Sequence, residues 1–440
     1  MGGSGRLRRA LVPGAIALTV AACGSSSVDD APPDAGSGDA VSADVLGDAP
    51  VVYGDLAAAS AWSFFETSKA NVNALGFRGG AFDGRYVYFA NNNHGVYDGM
   101  AMRYDTRAEL AEPTSWRAFN TTDLDKKAKD FAGATFDGRY LYFVPNGNAA
   151  PNGVVARYDT KARYFDDLLA WSIFDTTTIA KGAKGFVGAT FDGRYVYLVP
   201  NGNGVVVRFD TFQRFGVSNS WSTFDTTTVD ANAKGFVGAA TDGRYVYFVP
   251  SNNGVPDGVV ARLDARASFT AASSWSTFDT TTVDANAKGF HGAAFDGRFL
   301  YLVPHDNGAP DGVVARYDTQ ASFSAASSWS AFDATRVHAG AKGFQGAGFD
   351  GRYVYFVPGL GGVVTRHDTR AAFTEPSSWS SFDTASAFAN ARNYEGAVFD
   401  GRYLYLVPTN VGVSGGAVAR FDARTPPWVP EVAGHYGSFF

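Results

Sequence analysis

The sequence has 440 residues, 15% of them aromatic and 51 of them glycine, with a single cysteine and a formal charge of −6. One cysteine excludes a disulfide framework and any cysteine-cluster metal site. Once the charged N-terminal segments described below are set aside, the remaining body has a charge of about −2, which excludes the basic surface typical of nucleic-acid binding.

The first 22 residues predict a secretory signal peptide. A basic segment at residues 6–9 precedes an apolar run at residues 11–22, which is too short to span a bilayer. We therefore expect residues 1–22 to be removed on export.

The end of this run carries the only cysteine. Residues 20–23, Val-Ala-Ala-Cys, resemble the bacterial lipobox. The resemblance implies that Cys23 is acylated and becomes the mature N-terminus, and Gly24 in place of Asp implies sorting to the outer membrane. Several acyl chains on one terminus anchor a protein stably, whereas one chain binds weakly. A plain signal peptide cut near Ala22, with an incidental cysteine, is the alternative.

Residues 23–55 predict the lipidated cysteine followed by a disordered acidic tether. The segment is rich in Ser, Asp, Ala, Pro and Gly, and it has seven aspartates but no Lys or Arg. Little apolar surface and charge of one sign favour an extended, self-repelling chain. Without the three leader arginines the chain has a charge of −9, of which the tether contributes −7.

The remainder, residues 56–440, is a sevenfold repeat. An Asp-Gly-Arg triplet recurs at spacings of 54, 55, 50, 54, 54 and 50 residues, beginning at Asp83, Asp137, Asp192, Asp242, Asp296, Asp350 and Asp400. Periods near 50 residues are typical of β-propellers with four strands in each blade. Because no segment has helical periodicity, we predict an all-β, seven-bladed β-propeller.

Each repeat divides into four predicted strands. In the third repeat, a Gly-Ala-rich strand at residues 188–191 leads into an Asp-Gly hairpin signal, and an aromatic, β-branched strand follows at residues 194–199. A third strand covers residues 205–210 and a fourth covers residues 221–225. Small residues suit the innermost strand, because the blades crowd together near the axis.

A constant spacing predicts how the ring closes. Each Trp-x-x-Phe strand is followed, 12 residues after its Phe, by the aromatic residue that begins the next repeat, as in Phe174 and Phe186. The pattern starts with Trp62 and Phe65, before the first repeat, and the seventh repeat ends after its third strand. We therefore expect the N-terminal strand to complete the last blade, which removes exposed sheet edges. Residues 436–440, which imitate the Trp strand, are a minor alternative for this place.

The period and the strand pattern resemble those of kelch-type propellers across the whole body. The kelch double glycine occurs only at Gly79-Gly80, and the other repeats have Gly-Ala. The resemblance implies the fold but no functional residue, because one fold hosts many functions.

Positions at which the repeats differ locate a candidate site. The residue five before each Asp-Gly-Arg is polar in four neighbouring blades: Arg78, His291, Gln345 and Glu395. In the other three blades it is apolar: Ala132, Val187 and Val237. Polar groups that face an apolar wall are typical of a small-ligand pocket. Solvated residues of the channel rim are the alternative.

A ring of cations is predicted three residues earlier in the repeats, at Lys129, Lys184, Lys234, Lys288, Lys342 and Arg392. Six cations around one mouth attract an anionic ligand, such as an acidic glycan or a phosphate group. Pairing of the lysines with aspartates of the preceding segment, such as Asp225 or Asp230, is the alternative.

Two further patterns have a structural interpretation. The loops between the second and third strands are rich in Asn, Asp and Gly, as at residues 251–254 and 305–308. Oxygen ligands at this density raise Ca²⁺ as a candidate cofactor, although tight turns need the same residue types and are the favoured interpretation. The Arg of Asp-Gly-Arg and the Asp of an Arg-x-Asp recur in all seven repeats, so we predict a repeated Arg–Asp pair or turn bond.

The sequence has no nucleophile elbow, phosphate-binding loop or histidine-cluster zinc spacing. The leading hypothesis is a monomeric, non-catalytic lipoprotein of the outer membrane, facing the periplasm or the cell surface, that binds a glycan or an envelope protein. The alternative is a lyase or hydrolase of acidic polysaccharide, with His291 and Glu395 as acid and base and Arg78 beside them.

Overall fold

The computed structural model describes residues 50–93, 98–147, 150–409 and 417–427. The predicted signal peptide, Cys23 and the tether up to residue 49 lie outside the described residues, and so do residues 436–440. The described residues between Pro50 and Pro427 form one compact unit. Within the described ranges, no helix has the length and apolar character needed to cross a membrane.

The described residues form seven four-stranded antiparallel blades, so the predicted seven-bladed β-propeller is confirmed. The innermost strands are Phe77–Phe82, Phe131–Phe136, Phe186–Phe191, Phe236–Thr241, Phe290–Phe295, Phe344–Phe349 and Tyr394–Phe399. The second strands are Tyr86–Asn91, Tyr140–Pro145, Tyr195–Pro200, Tyr245–Pro250, Phe299–Pro304, Tyr353–Pro358 and Tyr403–Pro408. The third strands are Met100–Asp105, Val154–Asp159, Val205–Asp210, Val259–Asp264, Val313–Asp318, Val363–Asp368 and Ala417–Asp422. The outer strands are Trp116–Asn120, Trp171–Asp175, Trp221–Asp225, Trp275–Asp279, Trp329–Asp333, Trp379–Asp383 and, for blade 7, Trp62–Glu66.

Short 3₁₀ helices flank each outer strand. Those that precede it are Ala59–Ala61, Pro113–Ser115, Leu168–Ala170, Ser218–Ser220, Ala272–Ser274, Ala326–Ser328 and Pro376–Ser378. Those that follow it are Thr67–Lys69, Thr121–Asp123, Thr176–Thr178, Thr226–Thr228, Thr280–Thr282, Ala334–Arg336 and Thr384–Ser386. The Asp or Asn that ends an outer strand caps the following helix, as where Asp225 Oδ1 accepts from the Thr227 N–H at 3.0 Å.

The innermost strands surround a central channel. Each packs against the innermost strands of both neighbouring blades, and blade 7 packs in this way against blade 1. The third residue of each strand is a glycine with positive φ, such as Gly346 (φ 95°), at a β-bulge. A Cβ on Gly346 would lie 2.7 Å from the Cα of Gly396 in the next blade. Glycine is therefore required both by the left-handed conformation and by the close approach of the blades.

Stacked Trp and Phe rings join neighbouring blades at the outer strands. The Trp171 indole donates to the Phe165 carbonyl at 2.8 Å, and its ring stacks on Phe119 of the preceding blade with centroids 4.6 Å apart. Equivalent stacks join all the neighbouring blades: Phe65–Trp116, Phe119–Trp171, Phe174–Trp221, Phe224–Trp275, Phe278–Trp329, Phe332–Trp379 and Phe382–Trp62. Each such pair adds about 0.5–1.5 kcal/mol beyond area burial, so the repeated Trp-x-x-Phe pattern encodes packing between blades.

Blade 7 is completed by the N-terminal strand, as predicted. Trp62–Glu66 pairs antiparallel with Ala417–Asp422, so it occupies the place for which residues 436–440 are the minor alternative. The predicted boundary at residue 56 is corrected, because Val52–Tyr53 pairs with Arg424–Thr425. Residues 50–55 therefore belong to the folded body and not to the tether.

The Asp-Gly-Arg triplet forms a structural turn in every repeat. Asp192 Oδ1 accepts from the N–H groups of Arg194 and Tyr195 at 2.8 and 2.7 Å, and its Oδ2 accepts from the Tyr197 hydroxyl at 2.7 Å. Arg194 Nη2 pairs with Asp210 Oδ2 of the third strand at 2.8 Å. The equivalent Arg–Asp pair is present in all seven blades, which confirms the structural interpretation of both recurring residues.

The strand connections give the propeller two faces. The turn face carries the Asp-Gly-Arg turns and the loops between third and outer strands. The linker face carries the loops between second and third strands and the segments that link each outer strand to the next blade. Tyr53 packs edge-on against Tyr353, which follows the Asp-Gly-Arg of blade 6, with ring centroids 5.6 Å apart. The folded body therefore begins on the turn face.

One histidine is buried where the other third strands have larger apolar or aromatic residues. His367 is fully buried and lies 4.7 Å from the Trp379 ring, and in the described residues its Nε2 has no hydrogen-bond partner. Burial, with a smaller effect of the Arg316 charge, lowers the pKa of His367 from 6.5 to about 4. The folded protein therefore holds this imidazole neutral.

The stability of the protein should fall on acidification because of His367. The unfolded chain takes up a proton on this residue below pH 6.5, whereas the folded chain does so only near pH 4, so the stabilisation is complete above pH 6.5 and is lost between these values. At pH 5, His367 lowers the free energy of unfolding by about 2 kcal/mol relative to pH 7. Urea unfolding at pH 7 and pH 5 should show that His367→Phe, which copies Phe209 and Phe421, loses less stability than the parent. Equal losses in both proteins would contradict the prediction.

Candidate functional site

The second residue of each innermost strand faces the central channel near the linker face. Ala132, Val187 and Val237 belong to three successive blades, yet their side chains pack together in one small buried cluster. The channel is therefore lined on this side by an apolar wall.

A charged cluster lies on the other side of the channel at the same level. Glu395 Oε1 accepts from Arg78 Nε at 2.5 Å and lies 3.4 Å from His291 Nε2. His291 and Glu395 belong to blades 5 and 7, so this contact crosses the position of blade 6. Only 5% of each of these two residues is exposed. The structure thus brings three of the four predicted polar residues together.

The electrostatics of the cluster keep Glu395 ionised. Burial raises the pKa of Glu395, but the Arg78 charge and the His291 hydrogen bond and charge outweigh burial and bring the pKa to about 2. A carboxylate held at this pKa and bound to Arg78 is a weak proton donor or acceptor near neutral pH. The cluster is suited to holding the channel shape and to presenting fixed charge.

The fourth predicted residue, Gln345, is half-buried and has no hydrogen bond to the other three among the described contacts. A Cβ on Gly359 would lie 2.5 Å from Cγ and Cδ of Gln345. The side chain of Gln345 therefore fills the space that glycine leaves free in the adjoining loop.

Sequence reasoning missed His305 as a member of the cluster. This residue follows the proline that ends the second strand of blade 5, and its ring centroid lies 5.2 Å from that of His291. Burial and the neighbouring His291 charge lower the pKa of His305 to about 4, and its Nδ1 has no hydrogen-bond partner among the described residues. Comparison of the repeats could have identified His305, since the residue at this position in blades 3, 4 and 6 is Asn201, Ser251 or Gly359.

The predicted cations divide into two groups by exposure. Lys342 and Arg392 are exposed, and Arg392 donates to the Ala389 carbonyl. The others are half-buried: Lys129, Lys184, Lys234 and Lys288. Within the described ranges, no salt bridge involves any of the six.

Among the described residues, the predicted lysines do not pair with Asp225 or Asp230, so this alternative is wrong there. Asp225 Oδ1 instead accepts from the N–H and the hydroxyl of Thr227, and Asp230 Oδ1 accepts from the Asn232 N–H. Both carboxylates fix local turns, and neither forms a salt bridge with a lysine in the described ranges.

Two adjoining cavities on the linker face are lined by two of these six cations, Lys129 and Lys184. The first, of about 470 Å³, is lined by Lys126, Lys127, Lys129, Asp130, Gly147, Ala150, Pro151, Asn152, Gly153, Asp175 and Thr177. The second, of about 410 Å³, is lined by Asn146, Gly147, Pro151, Lys184, Gly185, Asn201, Gly202 and Asn203. Neither cavity includes Arg78, His291, Gln345 or Glu395. These two cavities therefore lie at blades 2 and 3, away from the charged cluster.

The Asn- and Asp-rich loops form the turns that the sequence favoured. Asn252 Oδ1 accepts from the Gly254 N–H at 2.9 Å, and Asp306 Oδ1 accepts from the Gly308 N–H at 2.8 Å. In the described part of the chain, no group of three or more His, Cys, Asp or Glu side chains has the geometry of a metal site. Binding of Ca²⁺ stays an untested prediction.

No family model matches this chain, and no curated protein matches it. Streptogramin B lyase is structurally similar over 82% of this chain and 98% of its own, with a TM-score of 0.55 and 10% sequence identity. The extracellular domain of a protein described as a hybrid two-component system from B. thetaiotaomicron is similar over 86% of this chain and 44% of its own, with a TM-score of 0.51 and 10% identity. Similarity at these identities shows the fold alone. The kelch-type subclass stays a prediction.

Proposed function

We propose that this chain is a membrane-anchored propeller lipoprotein whose linker face binds an anionic glycan at the cell envelope. The observation that carries the proposal is the pair of cavities at blades 2 and 3, where four lysines have no carboxylate partner among the described residues. Acylation of Cys23 and an outer-membrane location are part of the proposal, and the lipobox resemblance and the acidic residues that follow Cys23 support them.

Differences between the repeats explain why the cations concentrate at these blades. Lys126 and Lys127 stand where blade 4 has Ala231 and Asn232. The residue two before the third strand is asparagine in blades 2 and 3, at Asn152 and Asn203, but aspartate in blades 4 and 5, at Asp257 and Asp311. Relative to blade 4, blade 2 thus gains Lys126, Lys127 and the carboxylate of Asp130, which stands where blade 4 has Gly235, and blades 2 and 3 each lose one aspartate.

The two acidic groups that line the first cavity form no salt bridge with these lysines in the described ranges. Asp130 Oδ1 accepts from Asn92 Nδ2 at 2.6 Å, and Asp175 Oδ1 accepts from the N–H and the hydroxyl of Thr177. These hydrogen bonds fix the loops that carry the two carboxylates. The cavity therefore offers ammonium groups to the carboxylates or sulfates of a glycan.

The double variant Lys126→Ala/Lys127→Asn should bind acidic oligosaccharide more weakly. It copies blade 4 and so keeps residues that this fold already accepts. We expect binding of oligogalacturonate, measured by calorimetry at low salt, to weaken roughly three- to tenfold, because two exposed ion contacts are removed. Added salt should weaken binding by the parent more than binding by the variant.

Lys161→Ala is the matched control, because it removes one exposed lysine from the turn face. Its affinity should equal that of the parent. Absence of binding to oligogalacturonate and to sulfated oligosaccharides would overturn the glycan proposal. Crosslinking of the linker face to an envelope protein in that case would favour a protein ligand.

A second candidate function is supported by the convergence of Arg78, His291 and Glu395. These residues could act on acidic polysaccharide as a lyase or hydrolase, although the low pKa of Glu395 makes acid–base chemistry harder. Incubation with polygalacturonate, followed by assay for new reducing ends and unsaturated products, tests this function. Activity that persists in His291→Ala/Glu395→Ala would eliminate these residues as catalysts.

A further inference from the structure

An apolar patch lies on the turn face at blades 2 and 3. It consists of five large apolar side chains in the loops between third and outer strands: Tyr164, Leu168, Leu169, Phe212 and Val217. Leu169 is 94% exposed and Phe212 is 75% exposed, and the other three are between 44% and 53% exposed. Half of the large apolar residues that are exposed in the described ranges belong to this patch.

The patch is specific to two blades and does not follow from the fold. The 3₁₀ helix Leu168–Ala170 has the sequence Leu-Leu-Ala, whereas its counterpart in blade 4 is Ala-Ser-Ser. Phe212 stands where blade 4 has Arg266. Each of these exposed positions is therefore compatible with a small or polar residue, and folding does not explain the apolar ones.

The second loop packs against blade 2, and exposed charged side chains flank both loops. Phe215 of the second loop packs on blade 2, 4.1 Å from the Arg157 guanidinium and 6.0 Å from the Tyr142 ring centroid. Exposed charged side chains flank the patch in sequence: the cations Lys161, Arg163 and Arg214, and the carboxylates Asp166 and Asp167, with a net charge of +1. Apolar tips beside a small net positive charge match the chemistry of a bilayer interface, where acyl chains lie beneath anionic headgroups.

The chain also connects to its predicted anchor on this face. The folded body begins at Pro50 on the turn face, and Cys23 precedes it by 27 residues. A coil of this length has a mean reach on the order of 30 Å. An acylated Cys23 would thus hold the turn face near the lipid surface, so a weak apolar contact would act at high local concentration.

We propose that the apolar patch docks on the lipid bilayer and thereby orients the linker face away from the membrane. The proposal rests on the anchored location given under the proposed function. Leu168, Leu169 and Phe212 enter the headgroup region, and the flanking cations meet anionic headgroups. The glycan-binding cavities then face away from the lipid, where an extended polysaccharide has access.

Hydrogen exchange on tethered protein tests this orientation. The chain from Cys23 to Phe440 is coupled through its single thiol to a maleimide phospholipid in vesicles of phosphatidylethanolamine and phosphatidylglycerol. Amides in residues 161–170 and 211–220 should exchange at least about fivefold more slowly than in the uncoupled protein. Amides in linker-face residues 251–258 should be unchanged.

Matched variants separate docking from general crowding at the vesicle. Leu168→Ala/Leu169→Ser/Phe212→Arg copies the residues of blade 4 and should abolish the slowing. Val255→Ser/Leu360→Ser, which removes two exposed apolar side chains from the linker face, should retain it. Equal exchange in coupled and uncoupled parent, or slowing that persists in the triple variant, would overturn the proposal. Slowing without vesicles that increases with protein concentration would show that a second copy covers the patch, which also overturns it.

The experiment is independent of the glycan proposal. Coupling through maleimide replaces native acylation, and oligogalacturonate binding is measured on uncoupled protein. Loss of docking with retained glycan binding would remove only the inference drawn from the patch. Loss of glycan binding with retained docking would remove only the proposed ligand.

Discussion

Glu395→Val should lower the free energy of unfolding by about 3–5 kcal/mol, because it removes a buried carboxylate and leaves the partly buried Arg78 guanidinium without its partner. Val187 and Val237 occupy the equivalent position in other blades, so valine itself fits the strand there. Urea unfolding at pH 7, followed by tryptophan fluorescence, gives the measurement.

A compensated variant distinguishes the lost ion pair from a packing defect. Arg78→Ala/His291→Val/Glu395→Val extends the apolar wall around the channel, and its stability should return to within about 1–2 kcal/mol of the parent, since apolar replacement of a whole buried charge cluster is often neutral. A single variant as stable as the parent would show that the Arg78–Glu395 pair is not formed in solution. A triple variant less stable than the single one would refute the electrostatic explanation.

Deletion of residues 50–66 should prevent cooperative folding of the isolated body or leave an aggregating protein. The deletion removes the outer strand of blade 7, exposes the edge of Ala417–Asp422, and breaks the two stacks in which Trp62 and Phe65 join blade 7 to its neighbours. Loss of Trp62 packing alone is expected to cost about 3–5 kcal/mol. Size-exclusion chromatography and thermal unfolding report the outcome.

A peptide with the sequence of residues 50–69 provides the control. Added in excess, it should restore a monomeric species with a cooperative transition, because it supplies the missing strand in trans. The same peptide with Trp62→Ala should restore it poorly. A truncated body that unfolds like the parent without any peptide would contradict the assigned closure.

The fold was predictable because each repeated residue has one structural task. The Asp of Asp-Gly-Arg binds two backbone N–H groups and a tyrosine hydroxyl, and the Trp and Phe of the outer strand stack between blades. Seven copies of the same tasks make the period, the strand count and the closure visible in sequence. The start of the body was less predictable, since the pairing of Val52 and Tyr53 occurs once and has no second copy to compare.

The site was predictable only where the repeats deviate at one register. Arg78, His291 and Glu395 stand at the same position of their innermost strands, so comparison of the aligned repeats identifies them. Their convergence across the channel follows from the circular arrangement of the blades. His305 differs from the aligned residues Asn201, Ser251 and Gly359, so a comparison of the repeats could have marked it, but its approach to His291 required coordinates. The cavities at blades 2 and 3 also depend on loop conformations, which the lysine spacing alone does not specify.

The short pair formed by Val52–Tyr53 and Arg424–Thr425 has a mechanical consequence. Any pull on the chain N-terminal to Pro50 reaches this pair before it reaches Trp62–Glu66, which closes the ring. The Gly54 carbonyl accepts from Arg366 Nη1 at 2.8 Å, and the Gly54 N–H donates to the Ala423 carbonyl at 2.9 Å. These few bonds would yield first under load, so tension from a moving membrane or a bound polymer would be relieved outside the closing strand and the blades would keep their shape.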